Sequence, residues 1–190
     1  VFNWPHPDMQ EEYESGFYAT GATEPWIAQI LYSLIVAKQE PVSILETGCY
    51  VGTTTAWLAK AAIEVDGKLI YGDIDADRAF ATYGRLDRYG LCHAVEDPHF
   101  NFWPQVDALD MIDMQGRGSL GFAWVDDDHQ KEHVAAELAA LMPKMAPGGI
   151  IAMHDVFGVC DLAGLCRQFG GLALDFPRIG PGGGLGLIQV

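Results

Sequence analysis

Apolar positions along the chain switch between two periods. Ile27, Ile30, Leu31, Leu34 and Ile35 recur at helical spacing and predict a helix with one buried face. Pro41 stops it, and the apolar run Val42-Ser43-Ile44-Leu45 before Gly48 and Gly52 suits a buried strand entering a tight turn. Thr53 to Ile63 then predicts a helix with Trp57, Leu58, Ala61 and Ala62 on its inner side. The unit repeats as strand Lys68 to Ile74, helix Ala76 to Tyr89 and strand Cys92 to Glu96. Further on the pattern predicts a strand from Gly121 to Val125, a helix from about Gln130 to Met145, a strand from Gly149 to Met153 and a helix around Leu162 to Phe169. Pro147-Gly148-Gly149 is expected to turn the chain into that fifth strand, and a last pair of short strands to flank the glycines between Gly180 and Gly186. Strands alternating with helices make an α/β protein, its parallel sheet covered on both faces.

Such a sheet takes its ligand beyond the carboxyl ends of the strands, where strand order switches. The residues ending the predicted strands are Glu46, Asp73, Asp126 and Asp155, all acidic. Apolar or small residues are the ordinary choice there, so this row of carboxylates is the chief functional signal. At 190 residues, 49% hydrophobic and 19% charged, the chain fits one globular domain and has no unbroken apolar run of membrane-spanning length. The net charge of −15, with 11 scattered Lys and Arg, excludes a groove that tracks phosphates, so no nucleic-acid partner is expected. Cys49, Cys92, Cys160 and Cys166 have neither metal-finger nor disulfide-scaffold spacing. With no signal-peptide layout at the start, a cytoplasmic setting is the expectation, away from any membrane.

Glu46-x-Gly48-x-x-x-Gly52 lacks the middle glycine that lets a backbone approach a pyrophosphate. A nicotinamide-dependent oxidoreductase is therefore the weaker alternative. A carboxylate at the strand tip repels phosphate but suits an ammonium or sulfonium, and S-adenosylmethionine carries both. Asp73, closing the second strand about 25 residues later, stands where such folds accept both ribose hydroxyls.

The run Glu46-Thr47-Gly48-Cys49-Tyr50-Val51-Gly52-Thr53-Thr54 resembles the class I S-adenosylmethionine-dependent methyltransferases, most of all the small O-methyltransferases of the catechol and caffeoyl-CoA type. The resemblance implies a Rossmann-like three-layer sandwich with a seven-stranded, mostly parallel sheet and an antiparallel last strand. It also implies that Glu46 contacts the methionine end of the cofactor, that Tyr50 lies near the sulfonium and that Thr54 binds the carboxylate. Glu96-Asp97-Pro98-His99 departs from the family's adenine-binding run. Asp97, His99 and Phe100 are the adenine candidates, while Trp103 belongs to the core.

Val125-Asp126-Asp127-Asp128-His129 and Met153-His154-Asp155-Val156 follow neighbouring strands, so Asp126, His154 and Asp155 are expected to converge on Mg²⁺ or Mn²⁺. His129 would be the general base, with Lys131 in reserve. Metal-dependent relatives keep a ligand Asp at the position of Asp126 and a base three residues on. The Asp-x-x-His spacing resembles the branch acting on macrolide sugars, and His154 departs from it. The rival reading makes Asp127 and Gln130 a capping box, with the three acids complementing a helix dipole. Residues 1–26 are expected to cap the site and residues 27–190 to form the methyltransferase domain, acting on a small-molecule hydroxyl. Trp4, Phe17, Tyr18 and Trp26 are substrate wall, docking patch or core, and a homodimer is one way to complete the pocket. A cofactor-binding module without turnover is the alternative from another class.

Overall fold

The computed structural model describes residues 3–16, 22–91, 99–157, 161–176 and 183–190. Seven strands form one sheet in the order β3-β2-β1-β4-β5-β7-β6. In chain order they are β1 (Ser43–Thr47), β2 (Lys68–Asp73), β3 (Phe100–Pro104), β4 (Leu120–Val125), β5 (Met145–His154), β6 (Leu172–Leu174) and β7 (Leu185–Gln189). β7 runs antiparallel to both its neighbours, whereas β3, β2, β1, β4 and β5 are parallel, as expected.

Consecutive strand residues feed opposite cores. Ile44, Leu69, Tyr71, Phe122 and Trp124 face α2 (Pro25–Val36), α3 (Thr53–Glu64) and α4 (Ala76–Arg88). Leu45, Ile70, Ala123, Val125 and Ile151 face α5 (Ala108–Asp113), α6 (Lys131–Leu141) and α7 (Leu162–Gln168). Burial on both faces explains why the strands appear in the sequence as continuous apolar runs instead of alternating ones. α1 (Pro7–Glu14) joins the first core through Met9, which is fully buried.

Several elements differ from the sequence expectation. α1 and α5 were not predicted: each is short and set by its cap, His6 Nδ1 accepting from Asp8 N–H and Asp107 Oδ1 from Leu109 N–H. The strand that pairs with β2 is Phe100–Pro104, which was not expected, and the expected strand Cys92–Glu96 lies outside the described residues. α6 ends at Leu141, and β5 begins at Met145. Pro147-Gly148-Gly149 is thus not a turn ahead of β5 but an irregularity within it, where β5 takes a longer path than β4 between the pairs Leu120↔Met145 and Phe122↔Ile150. Among the described residues no helix is long and apolar enough to cross a membrane.

A candidate active site at the carboxyl edge of the sheet

The turn after β1 leads into α3 and the turn after β2 into α4, both packed on the first core. Gly48 has φ +78°, and a Cβ there would come within 2.6 Å of Asp127 Cα, so only glycine lets the β1 turn pass under the β4 turn. Gly52, φ +80°, caps α3 against Thr82. Tyr50 between them also has positive φ, a strained backbone for a bulky residue. Its N–H donates to Asp73 Oδ2 at 3.0 Å, while Asp73 Oδ1 accepts from Asp75 N–H at 2.9 Å. Asp73 is thereby fixed at the wall of a cavity of about 620 Å³, in the size range of small-molecule sites. Gly48, Tyr50, Thr54 and Asp126 line the same cavity.

Glu46 lies beneath that wall, not in it: the residue is fully buried. Burial pushes its carboxyl up to about 8, the charges of Asp126 and Asp73 add to this, and the Thr55 hydroxyl opposes it. Although Thr55 is close, neither Glu46 oxygen reaches hydrogen-bonding geometry.

The β4 and β5 ends do meet. Asp126 Oδ1 lies 3.2 Å from His154 Nδ1 and 3.5 Å from His129 Nε2, and Asp155 reaches His129 Nε2 with Oδ2 at 3.3 Å and His154 Nδ1 with Oδ1 at 3.6 Å. On its far side His154 Nε2 is 2.9 Å from Glu24 Oε2. Burial works against a charge on His154, but Asp126, Glu24 and Asp155 overcome it and lift the imidazole to about 10. Burial likewise disfavours charge on Asp126, yet His154 and His129 hold it below the usual carboxylate range. The Asp126 carboxylate beside it raises His129 above its ordinary value against partial desolvation.

The donor set also fits a divalent cation. His154 Nδ1 lies 3.2 Å from Asp126 Oδ1 and 3.6 Å from Asp155 Oδ1. Two ligands on an ion with bonds of about 2.1 Å stand roughly 3.0–3.4 Å apart. Glu24 on the outer nitrogen of His154 is the carboxylate–histidine pairing that orients a metal-binding imidazole. His129 Nε2 is buried without a hydrogen-bond partner in the same group.

Other sequence candidates fall elsewhere. Asp97, Phe17 and Tyr18 lie outside the described residues. His99 bonds Gly67 O at 2.8 Å and Phe100 pairs with Leu69, so both sit toward the opposite end of β2 from Asp73 and are corrected as adenine contacts. Trp4 and Trp26 pack on the first core, Trp4 against Trp57, and do not line the cavity. Trp103 packs on the second core. Lys131 faces Asp161 on the surface at 3.7 Å, away from the cavity. Asp127 makes no capping box: its Oδ2 is 3.0 Å from His133 Nε2, and the α6 cap, Gln130, has no side-chain bond.

Sequence reasoning missed Thr23, Glu24, Arg78 and His133. Thr23 Oγ1 donates to Asp126 Oδ2 at 2.9 Å and accepts from Thr54 Oγ1 at 2.8 Å, joining three elements. Nothing local announces such a contact across 103 residues. Arg78, a cavity residue, stacks over the Tyr50 ring at 5.1 Å. The i,i+4 pair His133 and Glu137 on α6 was a legible signal.

Residues 45–156 match a family described as a methyltransferase domain. A catechol O-methyltransferase of Niastella koreensis is 30% identical over 100 residues, 53% of this chain, and the match spans 42% of that relative's length. The solved O-methyltransferase TomG from Streptomyces achromogenes, involved in tomaymycin synthesis and in complex with SAM, superposes with a TM-score of 0.71 at 18% identity, covering 100% of this chain and 91% of its own. An O-methyltransferase from Bacillus cereus in complex with SAH gives 0.71 at 17%, covering 97% and 89%. At these identities the structural likeness is one of fold.

Proposed function

Because the chain belongs to this methyltransferase-domain family, we propose that it transfers the methyl group of S-adenosylmethionine to a hydroxyl of a small molecule, with a divalent cation assisting. The supporting observation is one cavity whose walls hold the Gly48–Tyr50 turn, Asp73 and the Asp126–His129 group together. Family membership sets the oxidoreductase alternative aside.

S-adenosylmethionine supplies an electrophilic methyl on a positively charged sulfur. Asp73, held by two backbone N–H groups, keeps lone pairs free on both oxygens for vicinal ribose hydroxyls. Tyr50 and Thr54 border the space for the sulfonium and methionine end, and the buried Glu46 carboxyl lies beneath them, where a bound cationic group would favour its ionised form. Asp126, His154 and Asp155 would hold Mg²⁺ or Mn²⁺, whose Lewis acidity lowers the pKa of a hydroxyl. His129, on the cavity wall beside them, accepts the acceptor's proton in its neutral form. Thr23 and Ala22, also on the wall, let the N-terminal segment close this side of the site and exclude water.

The test is calorimetric titration with S-adenosylhomocysteine. Micromolar binding is expected, weakened at least tenfold in Asp73→Ala, because loss of a charge-assisted hydrogen bond costs about 1.5–3 kcal/mol. Unchanged affinity in that variant would reject the cofactor assignment.

A further inference from the structure

Asp127 points away from the Asp126 group and toward α6. His133 and Glu137 stand one turn apart on that helix and meet it. His133 Nε2 is 3.0 Å from Asp127 Oδ2 and 3.8 Å from Glu137 Oε2, and one ligand atom from each residue lies within 4.8 Å of the others. Ligands on a tetrahedral ion with bonds of about 2.1 Å stand roughly 3.4 Å apart, inside the range these contacts span.

Glu137 is fully buried beside Val134, Leu138 and Leu141, and neither of its oxygens has a hydrogen-bond partner. Asp127 Oδ1 is buried and unpartnered as well. Unsatisfied carboxylates at an apolar helix face are costly, and such groups are kept when something binds between them. Asp127 and His133 also line the cavity, which gives an ion a way in and leaves its outer side open to water or ligand.

We propose that Asp127, His133 and Glu137 form a second divalent-cation site, separate from the Asp126–His154 group. An imidazole among oxygen ligands suits Zn²⁺, Co²⁺ or Mn²⁺ better than Mg²⁺. The ion neutralises two carboxylates at the base of the cavity and ties the start of α6 to the end of β4. Burial and the charge of Asp127 push the Glu137 carboxyl upward, so a proton is the competing occupant of the same gap. The site does not depend on the methyl-transfer reading.

The experiment is a Co²⁺ titration, followed by visible absorption and equilibrium dialysis, of an Asp126→Asn/Asp155→Asn protein whose first group is disabled. One equivalent of Co²⁺ is expected to remain. Adding His133→Ala, or separately Glu137→Gln, is expected to weaken it at least tenfold, with circular dichroism showing a folded chain. Should Glu137→Gln fail to fold, His133→Ala decides, because its side chain is partly exposed. No Co²⁺ bound at millimolar metal, or binding indifferent to the His133 change, overturns the proposal and leaves a proton shared between the carboxyls.

Discussion

Glu46 occupies a strand position opposite Tyr71 on one side and Trp124 on the other, where an aliphatic residue would pack without cost. Its carboxyl keeps its proton to about pH 8 in the fold, against 4.5 ordinarily. Between those values unfolding releases a proton, so this residue makes stability fall as pH rises from about 4.5 to about 8, with no further loss above. Glu46→Gln should abolish that slope. At pH 8 the variant should be more stable by roughly 4 kcal/mol, since one pKa unit is about 1.36 kcal/mol. Urea unfolding of the ligand-free proteins at pH 5, 6.5 and 8 measures it, and parallel curves would show that Glu46 is ionised in the fold. A side chain that lowers stability at a ligand edge is of the kind retained for function. The row of acids was legible in the sequence because each ends its own strand; that Glu46 sits below the cavity wall was not, since strand tips do not disclose which way they tilt.

At the scale of elements, α2 does more than cover β1. Its cap, Glu24, makes no side-chain bond to its own helix, because its carboxylate reaches across 130 residues to His154. Docking α2 on α3 therefore brings an orienting carboxylate to the imidazole at the end of β5. Glu24→Ala should leave helix content and folding intact, the side chain being partly exposed, yet weaken Mn²⁺ binding about 10–100-fold, as loss of an orienting partner does. Calorimetric Mn²⁺ titration checks this, and equal affinity would mean that His154 needs no such support or binds no metal. Long elements with many buried positions were legible: α2, α3 and α4, together with β1, β2 and β4, begin and end within two residues of their predicted limits. Elements of few residues were not. α5 rests on the Asp107 cap and three buried side chains, too little periodicity to stand above its surroundings.

The whole molecule carries −15, and its functional edge gathers Asp73, Asp126, Asp127 and Asp155 around one cavity. Like charges repel over about 30 Å at 0.01 M salt and about 8 Å at 0.15 M. Raising NaCl from about 10 to about 150 mM should therefore raise the melting temperature by about 2–5 °C. Scanning calorimetry in a chelating buffer measures this apart from cation binding, and a flat or falling melting temperature would show that local pairing such as Asp126 with His154 already neutralises the edge. The same field draws cations to the cavity.

The sequence by itself determined the alternation of strand and helix, the two-faced burial of the sheet and the acidic strand ends. All of these follow from short-range periodicity and turn chemistry, which a run of about ten residues already contains. Only the tertiary structure decided that Thr23 reaches Asp126, that Glu24 backs His154, and that Asp127 turns to His133 and Glu137. Those meetings depend on β1, β4 and β5 lying side by side and on α2 and α6 packing against opposite faces. Many distant pairings would bury the apolar stripes equally well, so the stripes cannot say which polar ends will face one another.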